Sequence, residues 1–316
     1  MNGLPIDALL PPAHPLKAGG NEPPYTRNDG IRLGMADNGF MLCTPEKTKA
    51  AQPVRIIRTS DHNACNNIIT MEAESCADVL LVYPRLSGKI SGNNDLTEIH
   101  LKENAVLNLI FLQDTESIPR LQTKTVVRQA SGSRMTVHYA TLSGEYVRNE
   151  LHVNLDGSHA EHQAYGLAFT EGSEYAGYEV QITHTSPECR SNQLFKQILS
   201  GTSTGSFSGK VTVNRNAQKT AAYQRSSNIL LDLKAKMTIL PHLEIYADDV
   251  KCSHGATVGQ LNNEALFYLR SRGIGKIEAK KILLLSFLEE TIKNIKYQYI
   301  KDKITQKLIQ KMEKNH

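Results

Sequence analysis

From residue 39 to about residue 250 the chain offers short strand-like runs and almost nothing helical. This restricts the fold more than any other feature of its 316 residues. Runs rich in Val, Ile, Leu and Thr recur at 54–58, 78–83, 107–113, 123–128, 135–142, 150–155, 162–169 and 178–184. Gly, Asn, Asp or Ser separate them. Many alternate: Leu151, Val153 and Leu155 share one face of an extended segment, and His152 and Asn154 share the other. Val211 with Val213, and Leu231 with Leu233, show the same period. The one helix-like stretch in this span is 192–199. Without crossover helices a βαβ sheet is excluded. The fold class is therefore mainly β, as a sandwich pair, a barrel or a β-solenoid.

A degenerate repeat favours the solenoid. Glu103-Asn104, Gly132-Ser133 and Gly157-Ser158 each form a small polar corner before an alternating strand. Units of roughly twenty-odd residues match the stacked coils of a parallel β-helix. The end strands of such a coil carry unpaired backbone groups, so pairing with another chain is expected.

The flanks differ in texture. Residues 1–40 hold Pro11, Pro12, Pro15, Pro23 and Pro24, which deny a continuous helix or central strand. They are expected to form an extended, partly disordered leader. The β core is expected over 41–259 and a helical region over 260–316. Asn262 or Asn263 is a suitable N-cap for a helix to Arg272, and Gly273 a suitable stop. A longer helix is expected from about 275 to 295. In the tail, Ile300, Ile304, Leu308 and Met312 fall four apart among lysines. That apolar stripe needs a partner: the chain's own scaffold, another protein or a membrane surface.

Composition narrows the function. Basic and acidic residues number 36 and 32, a balance that gives no nucleic-acid signal. Trp is absent and aromatics make up 6%, which speaks against carbohydrate platforms. The cysteines, Cys43, Cys65, Cys76, Cys189 and Cys252, are odd in number and contain no Cys-x-x-Cys pair. Free thiols in a reducing compartment are the expectation. No secretory signal and no membrane-length apolar run is visible, so a soluble cytoplasmic protein is expected.

Cys252 and His254 are the one cysteine–histidine pair two residues apart. On a strand they share a face, a donor pair suited to zinc or iron. They equally suit a buried thiol beside a core histidine. Two donors do not close a site, so a metal would need another turn or another chain. Asp248 and Asp249 point opposite ways on a strand and read as a turn. His152, His159 and His162 lack metal spacing and read as solvent-facing. The run Gly201-Thr-Ser-Thr-Gly205 lacks the Gly-Lys-Ser/Thr ending of a phosphate loop and precedes a strand.

The run from Leu243 to Gly259, LEIYADDVKCSHGATVG, followed by Leu266-Phe-Tyr-Leu-Arg-Ser-Arg-Gly273, closely resembles the SufB/SufD family of iron–sulfur cluster assembly scaffolds. Ser191-Asn-Gln-Leu-Phe195, Phe207-Ser-Gly209, Ala217-Gln218 and the stretch 224–231 are similar to the family's pattern. Within the family, Cys-Ser-His-Gly-Ala resembles the SufD branch. The SufB branch carries a glutamate-bearing segment at His254, and a cysteine on the strand matching 224–230 that this chain lacks.

The resemblance implies a right-handed parallel β-helix followed by C-terminal α-helices. It implies pairing with a SufB-like sister scaffold through the β-helices. It implies docking of a SufC-like ABC ATPase on the helical region, at Leu266, Phe267, Tyr268, Arg270, Arg272 and Gly273. His254, with Cys252 beside it, would contribute to the cluster-building site. Iron or an iron–sulfur cluster would be held transiently at the partner interface, not as a stable cofactor. The subunit would be non-catalytic, would touch neither nucleic acid nor membrane, and could form a homodimer when isolated. Family members carry a helical domain ahead of the β-helix where some forty Pro-rich residues stand here. Two other readings compete: a self-associating β-helix with a purely structural role and no metal, and a polysaccharide-cleaving β-helix enzyme.

Overall fold

Backbone pairing in this chain runs between successive turns of a coil, not between neighbours in sequence. The computed structural model describes residues 25–36, 39–58, 64–83, 93–115 and 120–314. Its first strands are β1 (Tyr25–Thr26), β2 (Arg32–Ala36), β3 (Gly39–Thr44), β4 (Val54–Ile57), β5 (Ala64–Met71) and β6 (Cys76–Tyr83). β7 (Asn93–Leu101), β8 (Val106–Asp114), β9 (Arg120–Gln129), β10 (Arg134–Ser143), β11 (Tyr146–Leu155) and β12 (Glu161–Thr170) follow. The last are β13 (Tyr175–His184), β14 (Arg190–Leu199), β15 (Thr204–Val213), β16 (Thr220–Leu230), β17 (Lys236–Ile245) and β18 (Val250–Gly259).

From β3 onward, odd-numbered strands form one parallel sheet and even-numbered strands the other. The molecule is a parallel β-solenoid. Tyr146 lies opposite Tyr175, 29 positions on, and Thr204 opposite Lys236, 32 on. Turns of 26–29 residues through the middle of the coil agree with the twenty-odd read from the repeat, and those nearest the C-terminal end lengthen to 30–32. Of the leader, residues 1–24 lie outside the described residues. Residues 25–36 contribute β1 and β2, which pair antiparallel with each other and with β3.

One corner repeats up the coil. Glu74, Asn104, Gly132, His159, Glu188 and Lys219 all take left-handed backbone conformations, with φ between 56° and 66°. This costs an ordinary residue about 1 kcal/mol. The cost is offset because each N–H reaches a carbonyl in the next corner: Glu74 to Glu103, Asn104 to Ser131, Gly132 to Ser158, His159 to Pro187, Glu188 to Gln218, Lys219 to Asp249. His159 and Asp249 are therefore corner residues.

Alternation fills the lumen. Phe111, Tyr139, Tyr178, Phe195 and Phe207 stack through the interior, with ring centroids 4.6–6.2 Å apart. Gly166 lies between Tyr139 and Phe195 in the register. A β-carbon there would come within 2.2 Å of the Phe195 ring, so the ring takes the volume that a side chain would need. The lumen also holds histidines. His162 bonds Gln129 at 2.8 Å and His184 bonds Ser191 at 2.9 Å, both fully buried. The expectation that His162 faces solvent is overturned, because its strand position turns it inward.

Three helices complete the chain: α1 (Asn263–Ser271), α2 (Lys276–Ile292) and α3 (Gln298–Lys314). α2 and α3 cover the outer face of the even-numbered sheet. Leu284, Leu288, Ile292, Ile300, Ile304, Leu308 and Met312 pack on Leu112, Leu142, Leu167, Phe169 and Ile198. The partner of the tail's apolar stripe is thus the chain's own scaffold. Buried cations pin the cover: Lys311 reaches the carbonyl of Phe169 at 2.6 Å and the Glu174 carboxylate at 2.6 Å. This cover explains why one buried strand reads as a helix. Residues 192–199 form part of β14, not a helix; both faces of that strand are buried, so its apolar residues lose their alternation. Leu231 and Leu233 lie past the end of β16 in a corner, where Leu233 is almost wholly exposed. Among the described residues no helix is long and apolar enough to cross a membrane.

Burial lowers His138 to about 4, against a raising bond to the Thr291 backbone, and lowers His162 to about 3 and His184 to about 4. The unfolded chain takes up these protons below pH 6.5 while the folded chain refuses them. Each histidine therefore removes stability as pH falls from about 6.5 toward its folded value, at roughly 1.4 kcal/mol per pH unit. The thermal midpoint at pH 5 is expected well below that at pH 7.5. His138→Asn should narrow the gap, and calorimetry at the two pH values checks this.

Candidate functional site at the terminal turn

A strand in the middle of the solenoid is paired on both sides. β17 pairs only with β15 and β18 only with β16, and each is the last strand of its sheet. Both free edges lie at the same end, ten residues long on each strand. Among the described residues no further strand covers them. Leu240, Ile245, Tyr246 and Val258 are exposed around this turn. The other end is built differently: the antiparallel β1–β2–β3 arrangement finishes the odd-numbered sheet there.

Register fixes the face on which Cys252 and His254 lie. Cys252 is opposite Ala222 and His254 opposite Gln224. Ala222, Gln224, Ser226 and Asn228 are the buried, lumen-facing residues of β16. The pleat therefore puts Cys252 and His254 on the lumen side of the last turn. Cys252 is half-buried against the small cluster of Val211, Val213, Ala217 and Ala222. Burial pushes its thiol pKa up, against a lowering bond from the Ala222 backbone. His254 is exposed. The two stand on one face without a third donor: among the described residues no three His, Cys, Asp or Glu side chains converge as a metal site. A thiol that must lose its proton and an accessible imidazole are two donors suited to a borderline-soft metal, too few to close a site by themselves.

A polar cleft of about 540 Å³ borders this turn, lined by Tyr165, Tyr223, Arg225, His254, Glu290 and Asn294 among others. Glu290, on α2, ties the cleft together. Its carboxylate meets Lys196 of β14 at 2.8 Å and pairs with Arg225 of β16. Lys196 first, then Arg225, holds that carboxyl below its usual range. Lys196 is nearly buried, donates to the Phe287 carbonyl at 2.9 Å and lies 4.8 Å from the centre of the Phe287 ring. No local pattern signals this cluster, because its members are 29 and 65 positions apart.

α1 begins four residues after β18. The side chain of Asn262 caps it, accepting the Ala265 N–H at 3.0 Å, and Gly273 follows it with φ +87°. No α1 residue is buried. Leu266 is half-buried and lines a pocket with Leu284 of α2. Phe267 and Tyr268 are 72% and 56% exposed, an unusual state for two adjacent aromatics. Arg270 is exposed, and the Arg272 guanidinium lies over the Tyr268 ring. Of the six predicted docking residues, Phe267, Tyr268, Arg270, Arg272 and Gly273 are exposed, while Leu266 turns toward α2.

Residues 56–287 match the family model described as the SUF system FeS cluster assembly, SufBD core domain. The chain belongs to the SufBD family. Its similarity to the iron-sulfur cluster assembly protein SufD of Escherichia coli is 33% identity over 175 residues, 55% of this chain and 41% of that protein. A SufBD family protein of Synechocystis is 34% identical over 203 residues, 64% of this chain and 45% of that protein. The chloroplastic protein ABCI7 of Arabidopsis thaliana is 34% identical over 213 residues, 66% and 44%. The chain spans less than half the length of these curated relatives. The family match takes in the solenoid from β4, the terminal turn, α1 and most of α2.

Glu290→Gln keeps the shape of the clamp and removes its charge. It leaves the Lys196 ammonium poorly compensated and should cost about 1–3 kcal/mol. Amide exchange in α2 should quicken while β8 and β10 stay protected, which residue-resolved hydrogen exchange would show.

Proposed function

We propose that this chain is a SufD-type scaffold subunit of an iron–sulfur cluster assembly complex. The observation that carries the reading is the open terminal turn: two ten-residue parallel edges, with a cysteine and a histidine on one face beside them. A parallel edge left unpaired is a template for another strand. The partner that fits best is a sister β-solenoid of the SufB type, whose own last turn would supply the donors this chain lacks. Iron and sulfide are then cargo, gathered between two chains. A SufC-like ABC ATPase would dock on α1 through Phe267, Tyr268, Arg270 and Arg272, with Leu266 and Gly273 shaping that surface. The chain itself would carry out no bond chemistry, and the compartment most consistent with its free thiols is the cytoplasm.

The roles of the two donors differ. His254 is the accessible ligand. Cys252 is half-buried and keeps its proton until a metal displaces it, so it would engage later or bind more weakly.

The test is co-expression with a SufB-like and a SufC-like partner, followed by anaerobic reconstitution with iron and sulfide. His254→Ala should lower cluster yield by tenfold or more with the complex intact, and Cys252→Ser less. The double variant Phe267→Asp, Tyr268→Asp should lose the ATPase while its melting midpoint stays the same. An unchanged cluster yield removes His254 from the mechanism. A chain that forms only homodimers and ignores both partners supports the purely structural reading.

A further inference from the structure

The corner between β16 and β17 carries an apolar side chain where a corner needs none. Leu233 is 94% exposed. Its neighbours on both sides are tied down. The Asp232 carboxylate accepts from the Ser200 hydroxyl at 2.9 Å and from the Gly201 N–H at 2.6 Å. The Leu231 N–H reaches the Leu199 carbonyl at 2.8 Å, and Ala235 is buried with its N–H on the Asp232 carbonyl at 3.2 Å. Leu233 is therefore presented to solvent by a corner that is bonded to the turn beneath it.

Leu233 borders a pocket of about 350 Å³ between this corner, α1 and α2. Leu231, Leu261, Leu266 and Leu284 line its wall, and exposed Ile277 stands beside Leu233 in the lining. Ile277, Lys280, Lys281 and Leu284 follow one another at helical spacing, so one face of α2 meets the pocket. Arg270 follows Leu266 by one helical turn and lies on the same side of α1. The acids near the pocket are largely spoken for. Glu278 meets Lys281 at 3.1 Å, and Asp232 holds the corner. Lys234, Arg270 and Lys276 are exposed, and among the described residues none of them meets a carboxylate. They outnumber the one acid of α1, Glu264.

An apolar hollow with large apolar side chains at its mouth and charges around it has the make-up of an interface core and rim. A small molecule in the pocket would leave Leu233, Ile277, Phe267 and Tyr268 in water, whereas a protein surface can cover all four. The unpaired cations select its kind: an acidic surface that carries an apolar side chain.

We propose that the corner 231–235 and the first turn of α2 are the second half of the docking surface that begins on α1. An apolar side chain of the docked protein fills the pocket between Leu233, Leu266 and Ile277, and acidic groups around it meet Lys234, Arg270 and Lys276. This deepens the docking reading of α1 and rests on it. The corner is the link between β16 and β17, so a protein held there grips the end of the solenoid directly as well as through α1.

The test is a calorimetric titration of the full chain with the purified SufC-like ATPase. Leu233→Asp should weaken binding about tenfold or more, with its melting midpoint unchanged because the side chain already stands in water. Exchanging Lys234 and Lys276 together for Glu should weaken binding about threefold or more and flatten its dependence on salt. In the complex, amide exchange should slow at 231–235 as well as across α1. Wild-type affinity in Leu233→Asp, beside lost affinity in Phe267→Asp, Tyr268→Asp, overturns the inference and leaves docking on α1 standing. Wild-type affinity in both variants removes the docking reading and the inference with it. If Leu233→Asp instead breaks a dimer of the isolated chain and leaves the ATPase affinity unchanged, the occupant is a second copy and the proposal fails.

Discussion

A parallel solenoid pairs each strand with the turn before and the turn after, so its backbone is unsatisfied only at its ends. That constraint organises the molecule. At the N-terminal end β2 folds back on β3, and β1 on β2, which replaces a parallel edge with a short antiparallel one. At the C-terminal end no such device appears among the described residues. β17 and β18 end the two sheets together, and the chain leaves directly into α1. Edges of this length are normally blunted in a protein that stays alone. Both are left bare in the same turn, the one that carries Cys252 and His254.

The helical cover supports that arrangement without hiding it. α2 and α3 close the outer face of the even-numbered sheet with aliphatic side chains and fix it with Lys311, Lys196 and the Asp78 carboxylate, which Lys296 and Tyr297 share. The cover reaches the terminal turn through Glu290, which pairs with residues on β14 and β16 while β18 stays free. α1 has no buried residue and α2 is clamped two strands deep. Stability therefore falls from the solenoid core through α2 to α1 and β18, the least buried elements. A force applied at α1 would meet little resistance before the terminal turn.

Much of the fold was legible because alternation survives wherever one strand face meets water or small polar groups. Leu151, Val153 and Leu155 show it, as do the corners at Asn104, Gly132 and Gly157. It failed where tertiary cover made both faces apolar. Leu194, Phe195, Ile198 and Leu199 imitate a helix because α2 lies over one face and the lumen lies on the other. His162 misled for the related reason that polar side chains in this lumen bond one another across turns. For the candidate site, the i, i+2 spacing was enough to put Cys252 and His254 on one face. That they stand on the last strand, over a column of glutamines, comes from register, which no local pattern encodes.

The amide column makes a wider point about polar groups inside a stacked fold. Most lumen positions are aliphatic or aromatic, and burial rewards them directly. Gln193, Gln197, Gln224 and Asn228 are instead buried with at least one amide atom unpaired, all on β14 and β16 within two turns of the open end. Aliphatic side chains of similar size would fill the same volume without that cost. Buried amides earlier in the coil, Asn67, Gln113 and Gln129, donate to neighbouring turns, whereas those nearest the open end keep bonding capacity unused. That unused capacity lies directly behind the turn that carries Cys252 and His254, in the strands whose stack ends in an open edge.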